Sequence, residues 1–433
     1  MSAAALKRGA AAWLAAACTL ASAGVAGVGG IAGTGRLDEA APKPVGRVGS
    51  TPQYAALIPA TRPLAPPAPE RAALGRRLFM DARLSQPQGT RCASCHDPAR
   101  AFSGFNGGRD GVARGSRPGQ LGLRRPPSLS YARYIPPLYF YQDDDARVPA
   151  PFGGLMLDGR ADTLAAQARE PLLAAHEMNL GTPAAAARRL RASGYEAEFD
   201  ALFGAGVLRQ PQRALQALGE ALAAYLQSDE LSPFDSRFDD WLRGRADALN
   251  AQELRGLAVF RNPDQGNCVS CHSVNVSSAN PARSLFTDFG YEALGVPRNR
   301  KLPANADPAA YDLGLCRVAR QRRWPDSDAW CGYFRTPSLR NVALQQRFMH
   351  NGVFDSLREA VRFYATRSTA PADWYGRHPQ FDDLPRPLRG NVNIVSTPLN
   401  RRAGSRPALS EQDIDDVVAF LGTLTDRRYL PAR

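Results

Sequence analysis

Apolar residues recur at helical spacing in well-separated stretches of the chain. The segment Pro69–Met80, PERAALGRRLFM, sets Leu74 and Leu78 on one face with Phe79 beside them, and Pro69-Glu70 suits a helix start. Residues 251–260, AQELRGLAVF, repeat the pattern with Leu254, Leu257 and Phe260. A last helix is predicted from Ser410, with Asp413 three residues on as a capping pair. Ile414, Val417, Val418, Leu421 and Leu424 then form one apolar stripe. Residues 184–227 are rich in Ala and Leu and read as mostly helical. Residues 131–154 are aromatic and Pro-rich and read as a long loop. No stretch shows sustained strand alternation, so the expected fold class is mainly α.

The first two of these helices share a sequel. Each is followed by a polar loop and then a cysteine motif: R-C-A-S-C-H, with Cys92, Cys95 and His96, and N-C-V-S-C-H, with Cys268, Cys271 and His272. The recurrence, 176 residues apart, predicts two copies of one domain type, fused. A chain of 433 residues is long enough for both. Both motifs are C-x-x-C-H, the pattern of covalent c-type haem attachment. Two thiols must reach the two vinyl groups of one porphyrin, and the next residue must bring an imidazole to the iron. A redox C-x-x-C has no need of a following His, and a zinc site needs four clustered ligands. The expectation is two cytochrome c-like domains, each with one covalent haem.

Composition narrows the setting. Hydrophobic residues make up 44% and charged residues 22%, which excludes a disordered or collagen-like chain. The net charge of +13 rests almost wholly on Arg, without a Lys-rich run, so no nucleic-acid partner is expected. The N-terminus reads as an export signal: Lys7 and Arg8, then a small apolar stretch, then Ala21-Ser22-Ala23 as a cleavage site. The domain reading is a signal peptide over 1–23, a flexible Ala/Gly/Pro-rich linker over 24–67, an N-terminal haem domain over 68–245 and a C-terminal one over 246–433. Export implies the periplasm, with membrane contact only if Cys18 carries a lipid. In an oxidising compartment the two cysteines left over, Cys316 and Cys331, suit a disulfide; the other reading is two buried thiols.

Only five His occur: His96, His176, His272, His350 and His378. With His96 and His272 assigned to iron, the sixth ligands decide between an electron carrier and an oxidant-handling enzyme. Here the chain resembles the bacterial di-haem cytochrome c peroxidase family, which includes the methylamine-utilisation (MauG-type) enzymes. The matching stretches are LGRRLFMDARLS, LDGRADTLAAQAREPLLAAHEM, FRTPSLRNVALQQRFMHNGVFDSLREAVRFY and DIDDVVAFLGTLT. They span most of the chain after the linker.

The resemblance implies a division of labour. The N-terminal haem would reduce hydrogen peroxide, with Glu177 above it as the acid-base group. His176, next to Glu177, either tunes the pocket or faces away, and the second is favoured. No His lies between Asp97 and Ala175 to cap that iron, as in the methylamine-utilisation type. Tyr131, Tyr134, Tyr139, Tyr141 or Met156 remain able to approach it. The C-terminal haem would take Tyr364 as its distal ligand, fourteen residues after His350, where classical peroxidases have Met. Leu157 stands where the family commonly has Trp between the haems. Arg125, Gln345 and Arg347 stand at the family's calcium positions, so calcium is not expected; a guanidinium can replace the cation. Arg335 and Arg340 are candidates for haem propionates, and His378 for a plain surface residue. Electrons would come from a small redox protein (a c-type cytochrome or cupredoxin) or from an oxidisable protein substrate. The rival reading is a non-enzymatic di-haem electron-transfer cytochrome, with both irons six-coordinate.

Overall fold

The computed structural model describes residues 68–104, 106, 110–141 and 150–430. The predicted export signal, the linker and Cys18 lie outside the described residues. The molecule is helix-rich with few strands. Its main helices are α1 (Pro69–Met80), α2 (Leu164–Leu173), α3 (Pro183–Ala192), α4 (Glu196–Phe203), α5 (Pro211–Leu226), α6 (Ala251–Arg261), α7 (Cys316–Gln321), α8 (Leu357–Thr366) and α9 (Glu411–Gly422). The predicted first helix is observed with its boundaries unchanged. The predicted Ser410–Asp413 box caps α9: Ser410 Oγ accepts from Asp413 N at 3.1 Å, and Asp413 Oδ2 accepts from Ser410 N at 2.8 Å.

Each half is built on one helix crossing. In the N-terminal half α1 crosses α5, and in the C-terminal half α6 crosses α9. Glycine sits at both crossing points. A Cβ on Gly75 would stand 1.9 Å from Ala221 O, and one on Gly256 would stand 1.9 Å from Asp416 O. Only a residue without a side chain lets the two backbones approach this closely. Two separate hydrophobic cores form around these crossings. One holds Leu74, Leu78, Phe79, Leu218 and Tyr225; the other holds Leu257, Phe260, Val417, Phe420 and Leu421. The stripe on α9 differs from the predicted one at two places. Val418 is only half-buried, whereas Phe420 is fully buried because it meets Phe260 at the crossing.

The stretch expected to be a long loop is partly paired. β1 (Tyr139–Tyr141) and β2 (Ala150–Phe152) form an antiparallel ribbon with Tyr139 opposite Phe152. Their rings stack at 5.9 Å, a cross-strand aromatic contact that overrides the turn-forming prolines. A second ribbon joins β3 (Tyr291–Glu292) to β4 (Phe334–Arg335).

Candidate functional site

The two C-x-x-C-H motifs rest on the same local architecture. Cys92–Cys95 forms a single helical turn after α1, and Cys268–Ser270 a 3₁₀ turn after α6. His96 Nδ1 lies 3.2 Å from Phe102 O, and His272 Nδ1 lies 2.9 Å from Phe286 O. A carbonyl only accepts, so Nδ1 carries the proton in both rings and Nε2 keeps its lone pair for a metal. Burial pulls both imidazoles down to about 4, which holds them neutral. The two carbonyl-bearing phenylalanines head matching clusters of three rings. Phe79, Phe102 and Tyr225 meet at 5.4 to 6.2 Å; Phe260, Phe286 and Phe420 meet at 5.4 to 6.0 Å.

A second repeat frames each site. Residues 125–129 read R-P-P-S-L and residues 335–339 read R-T-P-S-L. Ser128 Oγ donates to Ala101 O at 2.7 Å, and Ser338 Oγ donates to Leu285 O at 2.6 Å. Each hydroxyl thus pins the residue before its phenylalanine. The arginines that open these repeats, Arg125 and Arg335, are both buried and form no ion pair among the described residues. Burial lowers both, Arg125 to about 10, and Arg335 Nε has no hydrogen-bond partner. Sequence reading missed Arg125 in this role, although the repeated R-x-P-S-L was the available signal. Arg340, the other propionate candidate, is instead held in a structural ion pair: its guanidinium binds Asp239 at 2.7 and 2.8 Å and the carbonyls of Ser284 and Pro281.

In the C-terminal half, a cavity of about 220 Å³ is lined by Cys268, Cys271, His272, Tyr364, Arg335 and apolar side chains. Packed interiors hold few voids larger than a water, so this one is shaped for a bound group. Among the described residues the four free cysteines are at the two motifs, and burial pushes Cys92, Cys95 and Cys268 each up to about 12. They are thiols at neutral pH, unlike the low-pKa cysteines of redox motifs. Apolar walls, neutral imidazoles with free Nε2 and buried unpaired guanidiniums together fit a haem with its propionates. Burial raises Tyr364 strongly, so its phenol is protonated until a cation reaches its oxygen.

Glu177 lies on a short loop after α2. Its N–H donates to Ala174 O, and its carbonyl accepts from Ser116 N at 2.7 Å. Gly115 permits this approach, since a Cβ there would meet His176 O at 2.5 Å. The loop brings the Glu177 carboxylate into the field of both Cys92 and Cys95. Burial raises the carboxyl, Arg160 pulls it down and Glu170 pushes it up again, with a net rise. The half-exposed His176 has its Nε2 3.8 Å from Glu177 Oε1. Tyr131 is occupied elsewhere, donating to Asp426 at 2.8 Å, and Tyr139 and Tyr141 pack on Phe152.

Leu157 is buried at the seam between the halves, lining the large cavity and a smaller one beside it. Arg125 also spans the seam, donating from Nε to Met349 O at 3.2 Å. Gln345 lines both cavities, and Arg347 pairs with Asp355. The predicted disulfide is present: Cys316 and Cys331 are bonded. His378 is on the surface. His350 is half-buried, stacks on Phe334 at 3.8 Å and lines the cavity. Sequence reading used it only as a landmark.

Comparison with known proteins agrees with this architecture. A family model described as di-haem cytochrome c peroxidase matches residues 69–247. The chain is 38% identical over 385 residues to the methylamine utilization protein MauG of Paracoccus denitrificans (strain Pd 1222), covering 87% of this chain and 95% of that one. It is 28% identical over 325 residues to the cytochrome-c peroxidase IdrP2 of Pseudomonas sp. (strain SCT), covering 70% and 76%. Among solved structures it superposes on the diheme peroxidase BthA from Burkholderia thailandensis E264 with a TM-score of 0.81 and 56% identity, covering 84% of this chain and 87% of that one.

Proposed function

This chain belongs to the di-haem cytochrome c peroxidase family, and on that premise we propose that it reduces hydrogen peroxide in the periplasm with electrons from another protein. Family membership makes it a peroxidase-type oxidoreductase; the assignments below are residue-level proposals. The N-terminal domain, 68–245, would hold one haem through Cys92, Cys95 and His96. The C-terminal domain, 246–433, would hold the other through Cys268, Cys271, His272 and Tyr364. When bound, the two groups supply peroxide binding and the storage and passage of electrons.

The chain's own residues do the rest. The Glu177 carboxylate takes the proton from the near oxygen of peroxide and returns it to the far oxygen, which departs as water. Its raised pKa suits both halves of that transfer. Arg125 and Arg335 would neutralise the propionates of bound haem, which would in turn satisfy two buried guanidiniums. Tyr364 would offer its phenolic oxygen as a ligand, and a bound cation would have to favour its ionised form, since burial alone opposes ionisation. At the calcium position the Arg125 guanidinium supplies the positive charge between the halves.

The single observation that carries this reading is the doubled cradle. A protonated Nδ1 on a phenylalanine carbonyl, above a three-ring cluster, follows each C-x-x-C-H motif. The deciding experiment combines intact mass with peroxide titration. The mature protein should carry two covalent haems, show a high-spin ferric EPR signal from the N-terminal site, and consume peroxide with a reduced c-type cytochrome or cupredoxin as donor. One haem only, or two low-spin sites without peroxide consumption, would remove the reading; the latter result is the electron-transfer cytochrome.

A further inference from the structure

We propose that Trp324, Trp330 and Tyr333 form an electron relay from the protein surface to the C-terminal cavity. This relay rests on the peroxide-reducing function proposed above. Trp324 follows α7 and Trp330 immediately precedes Cys331. Both indoles are half-buried at the margin of a small cluster that is separate from the two main cores. The rings touch in succession. Phe140, 45% exposed, covers Trp324 at 4.6 Å; Trp324 meets Trp330 at 6.5 Å; Trp330 meets Tyr333 at 5.7 Å. Tyr333 is buried, and it lies in the field of Glu292. Glu292 and both neighbours of Tyr333, Gly332 and Phe334, line the cavity that also contains His272 and Tyr364.

The structure holds this line rigidly. The Cys316–Cys331 disulfide ties the start of α7 to the residue after Trp330, so both tryptophans are fixed on one clamped loop. The Trp324 N–H of the backbone donates to Ala319 O at 2.8 Å, closing the turn from the other side. Ordinary packing needs neither half-exposed indoles nor a row that runs inward from the surface. Tryptophan and tyrosine are among the side chains most easily oxidised by one electron, and here they stand in van der Waals sequence. Leu157, at the seam between the halves, offers no such ring.

In turnover, each peroxide takes two electrons and two protons and leaves as two waters. The electrons enter one at a time from a reduced one-electron donor protein, through Trp324. Without a donor the relay must supply them itself. Oxidation of Trp324 then has the balance Trp + H2O2 → hydroxytryptophan + H2O: the indole loses two electrons and gains one oxygen atom from water.

The test uses the holoprotein with peroxide and no donor. Peptide mass spectrometry locates oxygenated side chains while peroxide consumption is followed in the same samples. Glu177→Gln sets the background from free peroxide. Wild type should carry oxygenated Trp324 above that background. Trp330→Phe and Tyr333→Phe keep the ring packing and remove one oxidisable rung each; both should lose the Trp324 modification. Peroxide consumed with Trp324 untouched in wild type, or Trp324 still modified in both variants, overturns the relay. If no peroxide is consumed, the functional reading falls and the relay falls with it.

Discussion

A carboxyl group that must both take and give a proton works best when neither state is strongly preferred. Glu177 is in that position. Burial raises it above the ordinary glutamate value of 4.5, while Arg160 limits the rise. The carboxylate is the form that first accepts a proton, so the peroxide rate should fall as pH drops through the raised value. We expect an acid limb above pH 4.5 in stopped-flow measurements, absent from Glu177→Gln. That variant should keep both haems and react with peroxide about 10² to 10⁴ times more slowly. An unchanged rate would leave Glu177 as a loop residue. Tyr364 invites a second substitution. Tyr364→Met exchanges a phenol for a thioether on the same wall of the cavity, so the second haem's potential should rise and its ligand spectrum change, with covalent haem retained. If potentiometry finds no movement, Tyr364 is a packing residue.

Helices α1, α6 and α9 were legible because each carries a local pattern: an apolar face, a start signal, a capping pair. Their pairing was not legible. Nothing near Gly75 in sequence names Ala221 as the backbone it touches, and Gly256 meets Asp416 only through the tertiary fold. The two C-x-x-C-H motifs were equally plain, because the covalent attachment proposed for them requires a fixed spacing. The arginines beside them were not singled out together, since R-x-P-S-L is short and its two copies differ at the second position. A substitution probes the crossings directly. Gly75→Ala and Gly256→Ala would each drive a methyl into a backbone carbonyl, with no flexible side chain there to yield. Overpacking of this kind costs about 1 to 3 kcal/mol or more. Urea denaturation of either variant should show that loss, and Gly390→Ala, at an exposed glycine with an ordinary φ and nothing nearby, should not.

The two halves act as one molecule only if their seam holds. Arg124 of the N-terminal half stands at its centre, 2.9 Å from the fully buried Asp158 and bonded twice to Asp312 of the C-terminal half at 2.5 and 2.7 Å. Asp158 in turn meets Arg160, which bonds Glu170 at 2.6 Å. The field of that same Arg160 reaches Glu177, so the seam and the proposed acid-base group share one charge network. Burial by itself would raise Asp312, but Arg124 overrides it and holds the carboxyl down at about 2, below its ordinary 3.8. A depressed carboxyl stabilises the fold above its unfolded value. That contribution is therefore complete above about pH 4 and lost as pH falls towards 2, on the order of 2 kcal/mol. Arg124→Gln removes the cation and leaves the half-buried Asp312 without its main partner, while Asp158 keeps Arg160. The expected cost at neutral pH is about 3 kcal/mol, the lower end for a broken buried pair. The sign of the pH dependence separates this from simple misfolding. Once Asp312 is protonated it no longer needs the guanidinium, so the stability gap between wild type and variant should narrow as pH falls from about 4 to 2. Urea titrations of both proteins across that range would check it; a gap that stays constant would mean Arg124 supports the seam by packing and not by charge.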